Sequence, residues 1–105
     1  MPEHYKPGHF KVYREKLKDG AKLAIDRATS QGEIRRIMEL VRFKEQAIKK
    51  TEAMYFQIKK TKGINKKVLY EIINVSLDEI MKADSLGSMR RISNLRDAKV
   101  RALKL

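Results

Sequence analysis

Two segments of this 105-residue sequence combine small residues with paired arginines at the same spacing. Their shared residues are Ser30, Gly32, Arg35 and Arg36 in the first segment and Ser85, Gly87, Arg90 and Arg91 in the second. A serine before an apolar periodic run indicates a helix start, where free backbone N–H groups and the helix dipole favour anions. The two segments therefore predict two phosphate-binding helix starts, with the arginines adding positive charge.

Further basic residues recur along predicted helix faces. Arg35, Arg42 and Lys49 are seven residues apart, which keeps them on one face, and Arg90, Arg101 and Lys104 follow the equivalent line near the C-terminus. A third group is opposed only by Glu52 and consists of Lys49, Lys50, Lys59, Lys60, Lys62, Lys66 and Lys67. These groups predict contacts with a nucleic-acid backbone. The alternative is an ordinary solvated surface, the commoner location of lysine.

The charge of the whole chain agrees with that prediction. Lys and Arg number 25 against 13 Asp and Glu, which gives a formal net charge of +12. Such a field attracts polyanions, of which nucleic acid is the commonest, although an acidic protein surface or anionic lipid would also respond to it. We therefore expect nucleic acid, DNA or RNA, as the partner, with an acidic protein as the alternative.

Several classes of chemistry are not expected. The absence of cysteine excludes disulfides, thiolate metal sites and cysteine nucleophiles. His4 and His9 are five residues apart with no third ligand nearby, and no glycine-rich phosphate loop or inward pair of carboxylates is present. We predict no enzymatic activity, no catalytic residue, no metal and no cofactor.

Composition also bears on the environment of the chain. Hydrophobic residues make up 42% and charged residues 36%, a mixture typical of a folded domain. No run of eighteen apolar residues exists, and residues 1–11 lack the apolar stretch of a signal peptide. We expect no membrane span and a cytoplasmic or nucleoid-associated location.

The elements that position these residues are all predicted to be helices. Apolar residues recur every three or four positions in four stretches, and no stretch alternates as a strand does. The first stretch ends near Arg27, and the longest runs from the Ser30 cap to about Lys62–Gly63. The third, from about Asn65 to Lys82, is the most apolar, and the last continues to the C-terminus. The prediction is an all-α bundle of about four helices arranged as two helical hairpins.

The domain organisation follows from the turn signals. Pro2, Pro7 and Gly8 predict a flexible N-terminal arm over residues 1–8. Residues 9–105 form a single helical domain with halves 9–62 and 63–105. Shifting the chain by 55 residues aligns 28–49 with 83–104 at ten identical positions of 22. An internal duplication explains this match, and independent convergence of basic, serine-capped helices is the alternative.

The segment LAIDRATSQGEIRRIME, residues 23–39, resembles the helix-turn-helix pattern of bacterial and phage transcriptional regulators. Ala24 stands at the helix crossing, Ser30 caps the second helix, and Ile34 and Ile37 anchor that helix to the core. The resemblance implies that Gln31, Gly32, Arg35 and Arg36 face outward towards DNA bases. It implies a transcriptional regulator, for which a homodimer is one way to span two half-sites.

The second function hypothesis is a non-enzymatic adaptor, assembly protein or inhibitor. Such a phage-like protein would dock on an acidic surface of a larger complex such as a polymerase, a ribosome or a virion. Burial discriminates the two hypotheses. An exposed apolar patch formed by Phe43, Met54, Phe56 and Leu105 would favour the adaptor. Burial of those residues beside contiguous basic lines would favour nucleic acid.

Overall fold

The structure is a computed structural model that describes the backbone of residues 7–104 and the side chains from Phe10 to Lys104. Within that range it contains four helices and no strand, which confirms the predicted all-α bundle. The helices are α1 Pro7–Arg27, α2 Gln31–Ile58, α3 Lys66–Lys82 and α4 Leu86–Leu103.

The predicted N-terminal arm, residues 1–8, lies outside the described residues except at its end. There the structure differs from the prediction, because α1 already begins at Pro7. Proline is compatible with the first turn of a helix, since its missing N–H would have no partner there. Pro7 and Gly8 therefore belong to α1.

Three polar side chains begin the later helices, as the sequence predicts. Ser30 Oγ accepts from the Glu33 N–H at 3.1 Å, Asn65 Oδ1 from the Val68 N–H at 3.2 Å, and Ser85 Oγ from the Ser88 N–H at 3.1 Å. Each cap satisfies an N–H that has no partner inside its own helix.

The longest helix ends earlier than the sequence predicts. Helix α2 stops at Ile58 instead of Lys62–Gly63. The chain leaves the helix because Ile64 folds back against the core, and Gly63, with φ of 82°, provides the left-handed residue in that turn. Residues 59–65 thus form a lysine-rich loop between the two halves.

Neighbouring helices run antiparallel and form the two predicted hairpins. The Phe10 ring lies 5.8 Å from that of Tyr55, and Arg14 pairs with Glu52 at 2.9 Å, so the start of α1 packs on the end of α2. Among the described residues, α2 and α3 each contact all other helices, whereas α1 and α4 do not pack together. The resulting body measures 51 × 26 × 18 Å.

The core lies along the contact between α2 and α3. Ile48, Leu69, Ile73 and Ile80 are fully buried there. Two long basic side chains also enter this interior. Lys44 Nζ donates to the Met81 carbonyl at 2.8 Å, and the Arg96 guanidinium is 1% exposed.

The two halves share their turn geometry. Helices α1 and α3 end at residues 27 and 82, and α2 and α4 begin at 31 and 86, which keeps the offset of 55. Their burial differs, since Lys44 is buried whereas its counterpart Lys99 is exposed. The duplication itself stays a prediction.

Candidate nucleic-acid interface

The antiparallel packing sorts the predicted site residues between the two ends of the bundle. One end, here named the basic end, combines the α2–α3 loop, the start of α3 and the last turn of α4. Its predicted site residues are Lys59, Lys60, Lys62, Lys66, Lys67, Arg101 and Lys104. The opposite end, here named the capped end, carries the serine-capped starts of α2 and α4. Its predicted site residues are Gln31, Gly32, Arg35, Arg36, Arg90 and Arg91.

The basic end joins two groups that are far apart in the sequence. A groove between α3 and α4 is lined by Val68 and Ile72 from one helix and by Ala102 and Leu103 from the other. The last turn of α4 therefore lies beside the first turns of α3, and Arg101 and Lys104 share one end with the loop lysines. In the sequence, Arg101 and Lys104 belong to a different basic group from the loop lysines.

The charged groups of the basic end are exposed, and none of them forms an ion pair with another described residue. All its members are exposed except Lys59, which is half-buried. Across the part of the chain that the structure describes, ion pairs join Arg14 to Glu52 and Arg96 to Asp97, and neither pair includes a member of the basic end. Glu52, the single carboxylate predicted to oppose these lysines, is thus already paired with Arg14. The local positive potential is left to act on solvent and ligands.

Lys59 differs from the other lysines of this end. Its ammonium lies 4.7 Å from the centre of the Phe56 ring and 5.3 Å from that of Tyr55. Both distances are within the range of a cation–π interaction. The rings belong to a cluster with Phe10 and Tyr70, so Lys59 packs on the core while keeping its charge at the surface.

A second basic surface runs along α2. Arg35, Arg42 and Lys49 are all exposed, on the side opposite the buried residues Ile48 and Tyr55. We name these three residues the outer face of α2. Seven-residue steps correspond to about 10.5 Å along a helix, so the face extends about 21 Å towards the basic end. Lys50, also exposed, lies beside it.

The capped end has a mixed charge. The starts of α2 and α4 meet at a cavity of about 420 Å³ lined by Arg36 together with the carboxylates Glu33, Glu39 and Asp84. Glu33 Oε2 accepts the Thr29 backbone N–H at 3.0 Å. Resident carboxylates already interact favourably with the positive end of a helix dipole, and they repel phosphate. The geometry therefore favours the basic end over the two predicted helix-start sites.

The segment that resembles a helix-turn-helix adopts only part of that geometry. Ser30 caps α2, and Ala24, Ile34 and Ile37 are half-buried, as the pattern predicts. However, α1 and α2 lie antiparallel from Ala24 back to Phe10. The two helices of a helix-turn-helix cross at about 90–120° instead. The turn is therefore that of an antiparallel helical hairpin.

Two basic residues have internal roles that the sequence did not indicate. Arg96 Nη1 donates to Thr51 Oγ1 at 2.7 Å across the contact between α4 and α2. Burial lowers the pKa of Lys44, and the charge of Asp84 partly opposes that effect. Long side chains with an apolar stem and a charged tip are normally assigned to the surface, so only the packed helices reveal these two.

The residues chosen to test the adaptor hypothesis do not form an exposed patch. Phe43, Met54 and Phe56 are half-buried and pack against the core, and Leu105 lies outside the described residues. Other apolar residues are exposed in their place, among them Val68, Val75 and Leu95. Exposed apolar residues thus occur on all four helices, and these three lie on α3 and α4.

Comparisons with known proteins do not identify a family. No protein-family model, curated protein or solved structure matches the chain. None of the described helices has the length and apolar character needed to cross a membrane. Proposals about function therefore depend on the geometry and charge described above.

Proposed function

We propose that this chain binds nucleic acid through its phosphates, without reading the base sequence, and that the basic end and the outer face of α2 make the contacts. The observation that carries the proposal is the convergence of exposed lysines and Arg101 at one end of the bundle, with no carboxylate paired to them in the described residues. Phosphates neutralised by such side chains release condensed counterions, and this release drives binding.

The kind of side chain supports sequence-tolerant binding. The basic end consists mainly of lysines, which act as flexible point charges, whereas base reading usually employs rigidly held arginine or amide groups. Phe10, Tyr55 and Phe56 contact one another and do not supply a stacking platform. Transcriptional regulation through Gln31, Gly32, Arg35 and Arg36 is the finer hypothesis, and the antiparallel hairpin supports it less well. A cytoplasmic or nucleoid-associated location belongs to the same proposal.

A second candidate is the adaptor that docks on an acidic protein. The exposed apolar residues Val68, Val75 and Leu95 favour it, since a protein partner would cover them and a nucleic acid would not. The basic end would then contact carboxylates in place of phosphates. The two candidates share the charged surface and differ in the anion that it recognises.

The test is a binding panel with labelled duplex DNA, single-stranded DNA and RNA of mixed sequence, with polyglutamate as the non-nucleic polyanion. We expect dissociation constants on the order of 1–100 µM for nucleic acid near physiological salt, and no enriched motif after selection from a random pool. Binding of polyglutamate as tight as that of the nucleic acids would favour the adaptor. An enriched motif lost in Arg35→Gln/Arg36→Gln would favour base reading at the capped end.

A further inference from the structure

An apolar groove runs along the outside of the α3–α4 hairpin. One part, of about 470 Å³, is lined by Val68, Ile72 and Val75 of α3 and by Ala102 and Leu103 of α4. A second cavity, of about 310 Å³, lies one turn further along the hairpin and forms the other part of this face, with Ile92 and Leu95 in its lining. Val75 and Leu95 are 44% and 52% exposed. Exposed apolar side chains that adjoin on neighbouring helices are typical of an interaction site.

Part of the lining on each helix follows the spacing of a coiled-coil seam. On α3, Val68, Ile72, Val75 and Glu79 are separated by four, three and four residues. On α4, four of the seven lining residues follow steps of three, four and three, and they are Ile92, Leu95, Lys99 and Ala102. These are the steps by which heptad positions a and d recur. Ile72 and Ile92 also pack against the core, whereas Val68, Val75 and Leu95 are exposed.

Charge distinguishes the two sides of the groove. The α3 side carries Glu71 and Glu79, and the α4 side carries Lys99 and Arg91. Glu71 and Lys99 line the same part of the groove, and Glu79 and Arg91 line the other part. Each acid–base couple therefore lies at one level along the helix axes. Neither acid–base couple forms an ion pair within the described chain. Each side is therefore left with an unneutralised charge.

We propose that the groove is a dimer interface that takes a second copy of this chain. A two-fold axis parallel to the groove places α3 of one copy against α4 of the other. Each residue keeps its position along the axis in this rotation. Glu71 then meets Lys99 of the second copy and Glu79 meets its Arg91, while Val75 packs against Leu95 of the second copy. A two-fold interface must be complementary to itself, and an acidic side facing a basic side at matched heights satisfies that condition.

This inference does not depend on nucleic-acid binding, because assembly is measured without nucleic acid. It has one consequence for that surface. The same axis leaves both basic ends at one end of the dimer, where their charges act together on a polyanion.

Charge reversal with complementation tests the proposed interface. Variant A is Glu71→Lys/Glu79→Lys, which makes both sides of the groove basic, and variant B is Lys99→Glu/Arg91→Glu, which makes both sides acidic. The mass of wild type, of each variant and of their equimolar mixture is measured by sedimentation equilibrium over a concentration series. Circular dichroism confirms that each variant remains helical. The matched control is Glu15→Lys/Asp19→Lys, a reversal of two exposed carboxylates on α1.

The expected result is a wild-type mass approaching twice the 12.3 kDa of one chain. For A alone and B alone the dissociation constant should rise at least about tenfold, because like charges then face each other. The equimolar mixture should restore a dimer, while the control should dimerise as wild type does. A wild-type chain that stays monomeric throughout the series overturns the proposal. So do variants that dimerise as tightly as wild type, or a mixture that does not recover.

Discussion

The guanidinium of Arg96 donates to the hydroxyl of Thr51 at 2.7 Å across the contact between α4 and α2. Arg96 is almost fully buried, and its Nε and Nη2 donate to Asp97 Oδ1 at 3.0 and 2.9 Å. Thr51 in turn donates to the Ala47 carbonyl at 2.7 Å. This network satisfies a buried charge, and it links the two halves of the chain through polar contacts.

Replacing Thr51 by valine should therefore destabilise the fold. The change leaves Arg96 Nη1 without its partner in the interior, at a cost of about 1–3 kcal/mol in the free energy of unfolding. Thr51→Ser is the matched control, because it keeps the hydroxyl and loses only a methyl group, which is worth about 1 kcal/mol or less. Urea unfolding followed by circular dichroism measures both variants. A loss in the serine variant equal to that of valine would contradict the role of the hydrogen bond.

The buried Lys44 should make stability depend on pH. Burial lowers the pKa of Lys44 from its ordinary value of 10.5. Just below that value the unfolded chain binds a proton that the folded chain has already released, so the free energy of unfolding rises with pH. The contribution of Lys44 to the free energy of unfolding is fully present above pH 10.5. It is lost as the pH falls through the pKa of Lys44 in the folded chain.

Lys44→Met removes this titration and keeps most of the side-chain volume. The free energy of unfolding of wild type relative to the variant should therefore increase as the pH is raised towards 10.5, which urea titrations at a series of pH values measure. The control is Lys49→Met, an exposed lysine of the same helix, which should preserve the wild-type profile because Lys44 is intact. Parallel profiles for wild type and Lys44→Met would show that burial does not perturb this ammonium.

Replacing each of two glycines by alanine should change the free energy of unfolding in opposite directions. Gly63 has φ of 82°, where a Cβ is strained, so Gly63→Ala should lower the free energy of unfolding by about 1 kcal/mol. Gly20 lies inside α1 with open space where a Cβ would be. Gly20→Ala should therefore raise the free energy of unfolding by about 0.5–1 kcal/mol, because alanine has the higher helix propensity. Thermal unfolding compares the two. A shift of the same sign in both variants would contradict this assignment.

The local elements of the fold could be predicted from the sequence because their signals are local. Helical periodicity and the caps at Ser30 and Asn65 indicate four helices, and the structure confirms them. The predicted end of α2 was wrong, because the helix ends early where Ile64 packs against the core, and that packing is a long-range contact. The burial of Lys44 and Arg96 also depends on which helices meet, and residue type alone does not reveal it.

The candidate site was predictable in composition but not in arrangement. Each basic residue is evident in the sequence, yet Arg101 and Lys66 lie at the same end of the bundle only because α4 runs antiparallel to α3. The carboxylates that line the capped end are likewise brought together by packing, since Asp84 is far from Glu33 in sequence. Charge patterns thus identify a class of partner, and the fold selects the surface.

Salt-dependent binding tests the central proposal most directly. The logarithm of the affinity for a mixed-sequence duplex is measured against the logarithm of the salt concentration. The test variant is Lys62→Gln/Lys66→Gln/Lys67→Gln at the basic end. The matched control is Lys16→Gln/Lys18→Gln/Lys22→Gln, which removes the same charge from exposed lysines of α1.

Each phosphate contact contributes about 0.9 to the slope. We therefore predict a steep slope for wild type, a reduction of about 2–3 in the basic-end variant and a change below about 1 in the α1 control. Equal reductions in both variants would mean that net charge alone is responsible and that the basic end is not the interface. No binding by wild type at low salt would contradict the account as a whole.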